Sequence, residues 1–293
     1  MIPKEILKKV RRIEIQTNKR MTEVFSGGYK SIFKGRGMEF SEVREYLPGD
    51  DIRNIDWNVT ARTGAAFIKK FEEERELTII FLLDMSGSTK FGSETRLKSE
   101  LAAEFVALLS FSAIRNNDNV GIIFFTDKIE KYIPAARSRS HILRIIRETL
   151  FFSPEGTGTD IHEGLHYLNT VIKKRAIIFL ISDFITKYNH EHVMKLTNKR
   201  HDLISVLITD PAELEFKGRG FYRLFDPETG KNKIIFSGFK KSRELFKKKR
   251  LEELQMIEDN FKAIGTDYIK LSTEIDIVKP IMQFFEKRKR RQH

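Results

Sequence analysis

The chain has 293 residues, 40% of them apolar, enough to bury one large core with a smaller appendage. It contains no cysteine, which excludes disulfides, iron–sulfur clusters and thiolate zinc sites and fits a reducing compartment. The net charge of +12, from 53 basic and 41 acidic residues, gathers at 247–250 and 287–291 without interleaved aromatics, so solvated helix faces explain it better than a specific nucleic-acid surface.

Residues 2–17 read as a helix, with Ile6, Val10 and Ile13 on one side and basic residues beyond it. This start mixes charges and lacks the apolar run of a signal peptide. No apolar stretch in the chain nears the ~20 residues of a membrane span, so a cytoplasmic protein is expected. Residues 26–40 carry glycines and alternating aromatics, the pattern of short strands and turns. Gly35-Arg36-Gly37 lacks both the third glycine and the preceding buried strand of a dinucleotide fingerprint. The pentapeptide at 33–37 recurs at 216–220, too short to count as a repeat. Around the Pro48-Gly49 turn, Arg36, Arg44, Arg53 and Arg62 face Glu39, Glu42, Glu45, Asp50, Asp51 and Asp56. An ion-pair network fits better than catalytic carboxylates, because each acid has a nearby arginine to keep it ionised. Residues 1–75 are read as an N-terminal helix and strand-rich segment, and residues 76–293 as the main domain.

From Leu77 the pattern alternates strand and helix. Buried strands are expected at 77–83, 120–125, 176–181 and 203–208, with shorter ones at 129–133 and 268–271. Helices are expected at 94–116, 138–150, 160–173, 189–200, 242–264 (stopped by Gly265) and 275–287. Residues 213–239 read as a small β-rich insertion, with a turn at Asp226-Pro-Glu-Thr-Gly230. Such alternation means an α/β fold with a doubly wound, mostly parallel sheet.

Ligands of open α/β sheets sit beyond the strand C-termini at the switch in strand order. Asp84-Met-Ser86-Gly-Ser88 follows the strand at 77–83, Gly156-Thr-Gly-Thr159 opens the helix at 160, and Ser182-Asp183 ends the strand at 176–181. If the strands at 77–83 and 176–181 are neighbours across the switch, Asp84, Ser86, Ser88, Thr159 and Asp183 share one crest. Two carboxylates and three hydroxyls suit a hard cation such as Mg²⁺, held with an open position.

These five residues resemble the metal-ion-dependent adhesion site (MIDAS) of von Willebrand factor A domains. Glu39-Phe40, then Arg44-x-Tyr46-x-Pro48-Gly49-Asp50-Asp51-x-Arg53-x-Ile55-Asp56-Trp57, and Ala61-Arg62 resemble the signature of the domain-of-unknown-function 58 family, in which such a segment precedes an A-like domain. Asp210-Pro211 and the 226–230 turn are similar to that family too, so the likeness spans roughly 26–293. The resemblance implies a von Willebrand A-like (Rossmann-like) sheet and a non-enzymatic, divalent-metal-dependent protein-binding module. It implies Mg²⁺ (or Mn²⁺), with Ser86 and Ser88 as direct ligands, Thr159 direct or through water, and Asp84 and Asp183 acting mainly through water. A partner's Asp or Glu would fill the vacant position, and a MoxR-type AAA+ ATPase is the implied partner.

Competing chemistries are weaker. His162-Glu163-Gly-Leu-His166 is a literal zinc-peptidase pattern with both histidines on one helical face, but no downstream pattern supplies a third ligand. A Mg²⁺-dependent hydrolase using Asp84 as nucleophile wants a second carboxylate where Ser86 stands. Ser86 as an elbow nucleophile wants glycine where Asp84 stands. No Walker A sequence is present.

Overall fold

The computed structural model describes residues 13, 39–72, 76–92, 96–186, 188–214, 216, 218, 220–225 and 232–292. The chain forms two compact units, Phe33–Leu77 and one that contains Thr78–His293. Of the helix expected over 2–17 only Ile13 is described, helical and buried. Residues 26–38 and the 226–230 turn lie outside the described residues.

In the smaller unit, β1 (Glu39–Glu45) runs antiparallel to β2 (Phe67–Glu72), with a bulge between Phe40 and Glu42. Both terminal nitrogens of Arg44 donate to the Asp50 carboxylate, at 2.7 and 2.9 Å, and the arginine holds that carboxyl below its ordinary range. Two other acids of the segment act as caps. Asp51 accepts from the Arg53 amide, and Asp56 accepts from the Asn58 and Val59 amides at the start of α1 (Trp57–Thr63).

From Thr78 onward the larger unit runs through β3 (Thr78–Asp84), α2 (Lys98–Arg115), β4 (Asn119–Phe125), β5 (Ile129–Ala136) and α3 (Arg139–Phe151). It continues with α4 (Ile161–Val171), β6 (Ile177–Ser182), α5 (Glu191–Arg200) and β7 (Asp202–Thr209). The insertion is the antiparallel hairpin β8 (Phe221–Phe225) and β9 (Asn232–Phe236), followed by α6 (Lys240–Ile264), β10 (Asp267–Ser272) and α7 (Val278–Gln292). Among the described residues, six strands form the main sheet in the order β10-β7-β6-β3-β4-β5. Its pairings are parallel except β4 with β5. The doubly wound, mostly parallel sheet expected from the sequence is therefore the fold.

Its packing explains the unbroken apolar strands. After their first residue, β3 and β4 are buried throughout, as is all of β6. Such strands need helices on both faces. On one face Ile80, Leu82, Ile178 and Leu180 join Ile161, Leu165 and Leu168 of α4 and Phe261 and Ile264 of α6. On the other, Phe81 stacks on Phe179 at 5.6 Å, and Phe105 of α2 meets both edge-on. Gly164 lets α4 approach the sheet: a Cβ there would sit 3.1 Å from the Phe125 ring. The long α6 stops at Gly265, whose φ of +78° is open to glycine at no steric cost.

One boundary moved. The helix expected from residue 94 starts at Lys98. Arg96 is held outside it by the carbonyls of Thr273 and Ile275 and by Glu104, while the Leu97 amide is taken by the Glu100 carboxylate.

Candidate functional site

The strand order reverses between β3 and β6. After β3 the chain moves outward through β4 and β5, then returns to place β6 on the other flank of β3, in register from Ile79 opposite Ile177 to Leu83 opposite Ile181. The loops that leave both strands therefore flank the switch point, where open α/β sheets bind ligands.

Asp84 is the last residue of β3 and has no solvent exposure. One carboxylate oxygen accepts the Ser86 amide at 2.8 Å, which folds the loop back on itself. The other accepts the Ser182 hydroxyl at 2.6 Å and the Thr159 hydroxyl at 3.4 Å. One side chain thus ties together the three loops. A tight turn over Gly87–Lys90 brings the Ser86 and Ser88 hydroxyls within 3.0 Å of each other, and Thr89 closes it onto the Ser86 carbonyl. The Gly87 amide reaches the Thr157 carbonyl, and the Thr186 hydroxyl reaches that of Thr159. Of the five predicted positions, Asp84, Ser86, Ser88 and Thr159 form this continuous network.

Asp183 reaches the same crest but faces another partner. One oxygen caps the Ile185 amide at 3.2 Å, and the other accepts from the Lys98 ammonium at 3.1 Å. Lys98 also donates to Glu213, and its side chain is only 2% exposed. Burial works against the charge on Lys98, but Asp183 and Glu213 outweigh it and hold the ammonium pKa above its usual value. Asp84 has the opposite problem. Burial first, and the Asp183 charge second, push its pKa up to about 7 against the hydrogen bonds from Ser182 and Ser86. Phe184, between Asp183 and Ile185, takes φ of +57°, a strained value for a non-glycine residue. It is held there by its amide on the Ser182 hydroxyl, at 2.9 Å, and by its ring packed edge-on against Phe261.

Sequence reasoning missed Ser182, Lys98 and Glu213. Ser182 had a partial signal, since it follows the strand at 176–181 just as Asp84 follows the strand at 77–83, but only the parallel register, with Leu83 opposite Ile181, puts the two side by side. Lys98 and Glu213 had none, because 115 residues separate them and only the packing of α2 beneath the 211–213 turn joins them.

The donor set fits a hard divalent cation: every group offers oxygen, two are carboxylates, and the paired serine hydroxyls are fixed by backbone. The zinc-peptidase pattern fares differently. His162 and His166 lie parallel and exposed on α4, with ring centroids 6.2 Å apart. Among the described residues no group of three His, Cys, Asp or Glu side chains is placed to hold a metal. The basic clusters are laced with acids. Lys248, Lys249 and Arg250 stand near Glu252 and Glu253 along α6, and Arg288 and Arg291 pair with Asp202 and Asp267. Among the described residues, no helix is long and apolar enough to cross a membrane.

Comparison with known proteins matches residues 42–255 to the family described as "Protein of unknown function DUF58". The chain is 26% identical to uncharacterized protein Rv1480 of Mycobacterium tuberculosis (strain ATCC 25618 / H37Rv), over 96% of this chain and 89% of that one. It is 25% identical to uncharacterized protein YeaD of Bacillus subtilis (strain 168), over 46% of this chain and 32% of that one. Its fold resembles the crystal structure of an aerotolerance-related membrane protein from Bacteroides fragilis, with TM-score 0.50 and 15% identity, covering 73% of this chain and 99% of that one.

Proposed function

Because the chain belongs to the DUF58 family, we propose that the crest of its von Willebrand A-like sheet is a divalent-cation-dependent docking site and that the protein is a non-enzymatic adaptor. The observation that carries this reading is the buried Asp84 carboxylate joining three loops, with two serine hydroxyls 3.0 Å apart beside it. Ser86, Ser88 and Thr159 would hold Mg²⁺ or Mn²⁺, with Asp84 and Asp183 in support. Such an ion supplies an electrophilic position for one carboxylate of a protein partner. The chain's own part is to keep the serine hydroxyls in place through the Thr89 closure and to hold the Asp84 carboxyl group buried beneath them. A net charge of +12 adds long-range attraction for an acidic partner. The family likeness points to a MoxR-type AAA+ ATPase as that partner, with the adaptor serving complex maturation or remodelling in the cytoplasm.

The test is capture of that ATPase by the immobilised protein in Mg²⁺ and in EDTA, with wild type and Asp84→Ala. We expect retention by wild type in Mg²⁺ only, and none by Asp84→Ala with its circular dichroism preserved. Equal retention by the variant overturns the reading.

A further inference from the structure

Lys98 is oddly placed for a lysine. It occupies the first residue of α2, where the helix dipole disfavours a cation, and it is almost wholly buried. A buried ammonium is tolerated only when paired, so its position answers to the carboxylates it meets rather than to the helix. Those carboxylates differ in kind. Glu213 is built into the 211–213 turn: its other oxygen accepts the Asp210 amide, Asp210 caps the Ala212 amide, and Thr273 donates to Asp210 at 2.6 Å. Asp183 belongs to the crest, and its charge is felt by Asp84. Lys98 thus lies between a structural carboxylate and a crest carboxylate, with 3.1 Å to the latter.

We propose that Lys98 is an internal competitor for the divalent ion, occupying Asp183 with its own ammonium so that the ion alone binds weakly and a partner's carboxylate is needed to retain it. The inference rests on reading the crest as a divalent-cation site. The electrostatics are direct: a positive charge already on Asp183 both repels an incoming cation and withdraws one oxygen of its donor set. Glu213 sets the strength of the competition, because it draws the same ammonium away from Asp183.

Two substitutions therefore move affinity in opposite directions. Lys98→Met removes the competing charge and should tighten Mn²⁺ binding about tenfold, the scale of a typical coupling between two sites. Glu213→Gln keeps the acceptor for the Asp210 amide, leaves the ammonium to Asp183, and should weaken Mn²⁺ binding. The experiment titrates Mn²⁺ into wild type, both single variants and the Asp84→Ala/Lys98→Met double variant, reading free Mn²⁺ by electron paramagnetic resonance. Thermal unfolding of each protein in EDTA and in Mn²⁺ is measured alongside. We expect Lys98→Met to melt lower than wild type in EDTA yet to gain more from Mn²⁺. The double variant should lose the tight binding. Tight binding that survives in the double variant means a new Asp183–Glu213 site and overturns the inference, as does an unchanged or weaker affinity in Lys98→Met. If Lys98→Met does not fold, Glu213→Gln decides: unchanged or tighter binding refutes the competition. Wild type that binds while these shifts fail sinks this inference and leaves the docking-site reading standing. Binding by none of the proteins sinks both.

Discussion

Ser182→Ala is the sharpest probe of how the crest is held. The hydroxyl is buried, donates to the Asp84 carboxylate at 2.6 Å and accepts the Phe184 amide at 2.9 Å. A hydrogen bond to a charged group contributes about 1.5–3 kcal/mol, and an amide left without an acceptor costs about 1–3 kcal/mol. With Asp84 ionised, the variant should lose roughly 3 kcal/mol. The loss should shrink when Asp84 is protonated, since a neutral bond contributes only about 1 kcal/mol. The sign follows from the Asp84 pKa, raised from the ordinary carboxylate value of 3.8 to about 7. Between those values the folded chain keeps a proton that the unfolded chain has released, so stability falls as pH rises through this window. Removing the Ser182 donor deepens that fall. Urea unfolding of wild type and Ser182→Ala in EDTA, followed by far-ultraviolet circular dichroism at pH 5 and pH 8, measures the effect. The expected result is a larger deficit at pH 8. A deficit below about 0.5 kcal/mol at pH 8, the level of an ordinary surface change, or one equal at both pH values, refutes the reasoning.

Two further outcomes test the frame around the site. Burial, aided by Arg200 and Arg175, pushes the His201 pKa from 6.5 down to about 4, while its ring accepts the Ala176 amide at 3.3 Å. The His201 contribution to stability is full above pH 6.5 and declines as pH falls toward 4, as the unfolded chain takes up the proton first, opposite in sign to that of Asp84; the stability lost in His201→Asn, read from urea midpoints, should therefore shrink over that range. In β4, a Cβ on Gly121 would meet the Ala135 amide and the Ile80 side chain at 2.9 Å and the Ile133 carbonyl at 3.0 Å. Gly121→Ala should therefore cost about 1–3 kcal/mol in the same assay, because two of its three neighbours are backbone and cannot step aside.

The family signature, the strand–helix alternation and the three oxygen-bearing loops were all legible in the chain. Strand and helix periods are local, and each loop residue sits at a fixed offset from the end of its element. Apolar runs such as Thr78–Asp84 and Ile177–Ser182 determine that their strands are buried on both faces, and hence that helices cover both sides. The sequence likewise placed Asp84, Ser86 and Ser88 in one turn. It could not say what surrounds that turn. The 2.6 Å bond from Ser182 exists because β3 and β6 pair in one register, which brings positions 98 apart into contact. Lys98 meets Asp183 and Glu213 because the start of α2 packs against the loop after β6 and the 211–213 turn, a contact between segments 85 and 115 residues apart that no local pattern encodes. Hydrophobic period sets which elements form and which face they bury. The charge balance at the crest arises between elements distant in sequence, and only their packing decides it.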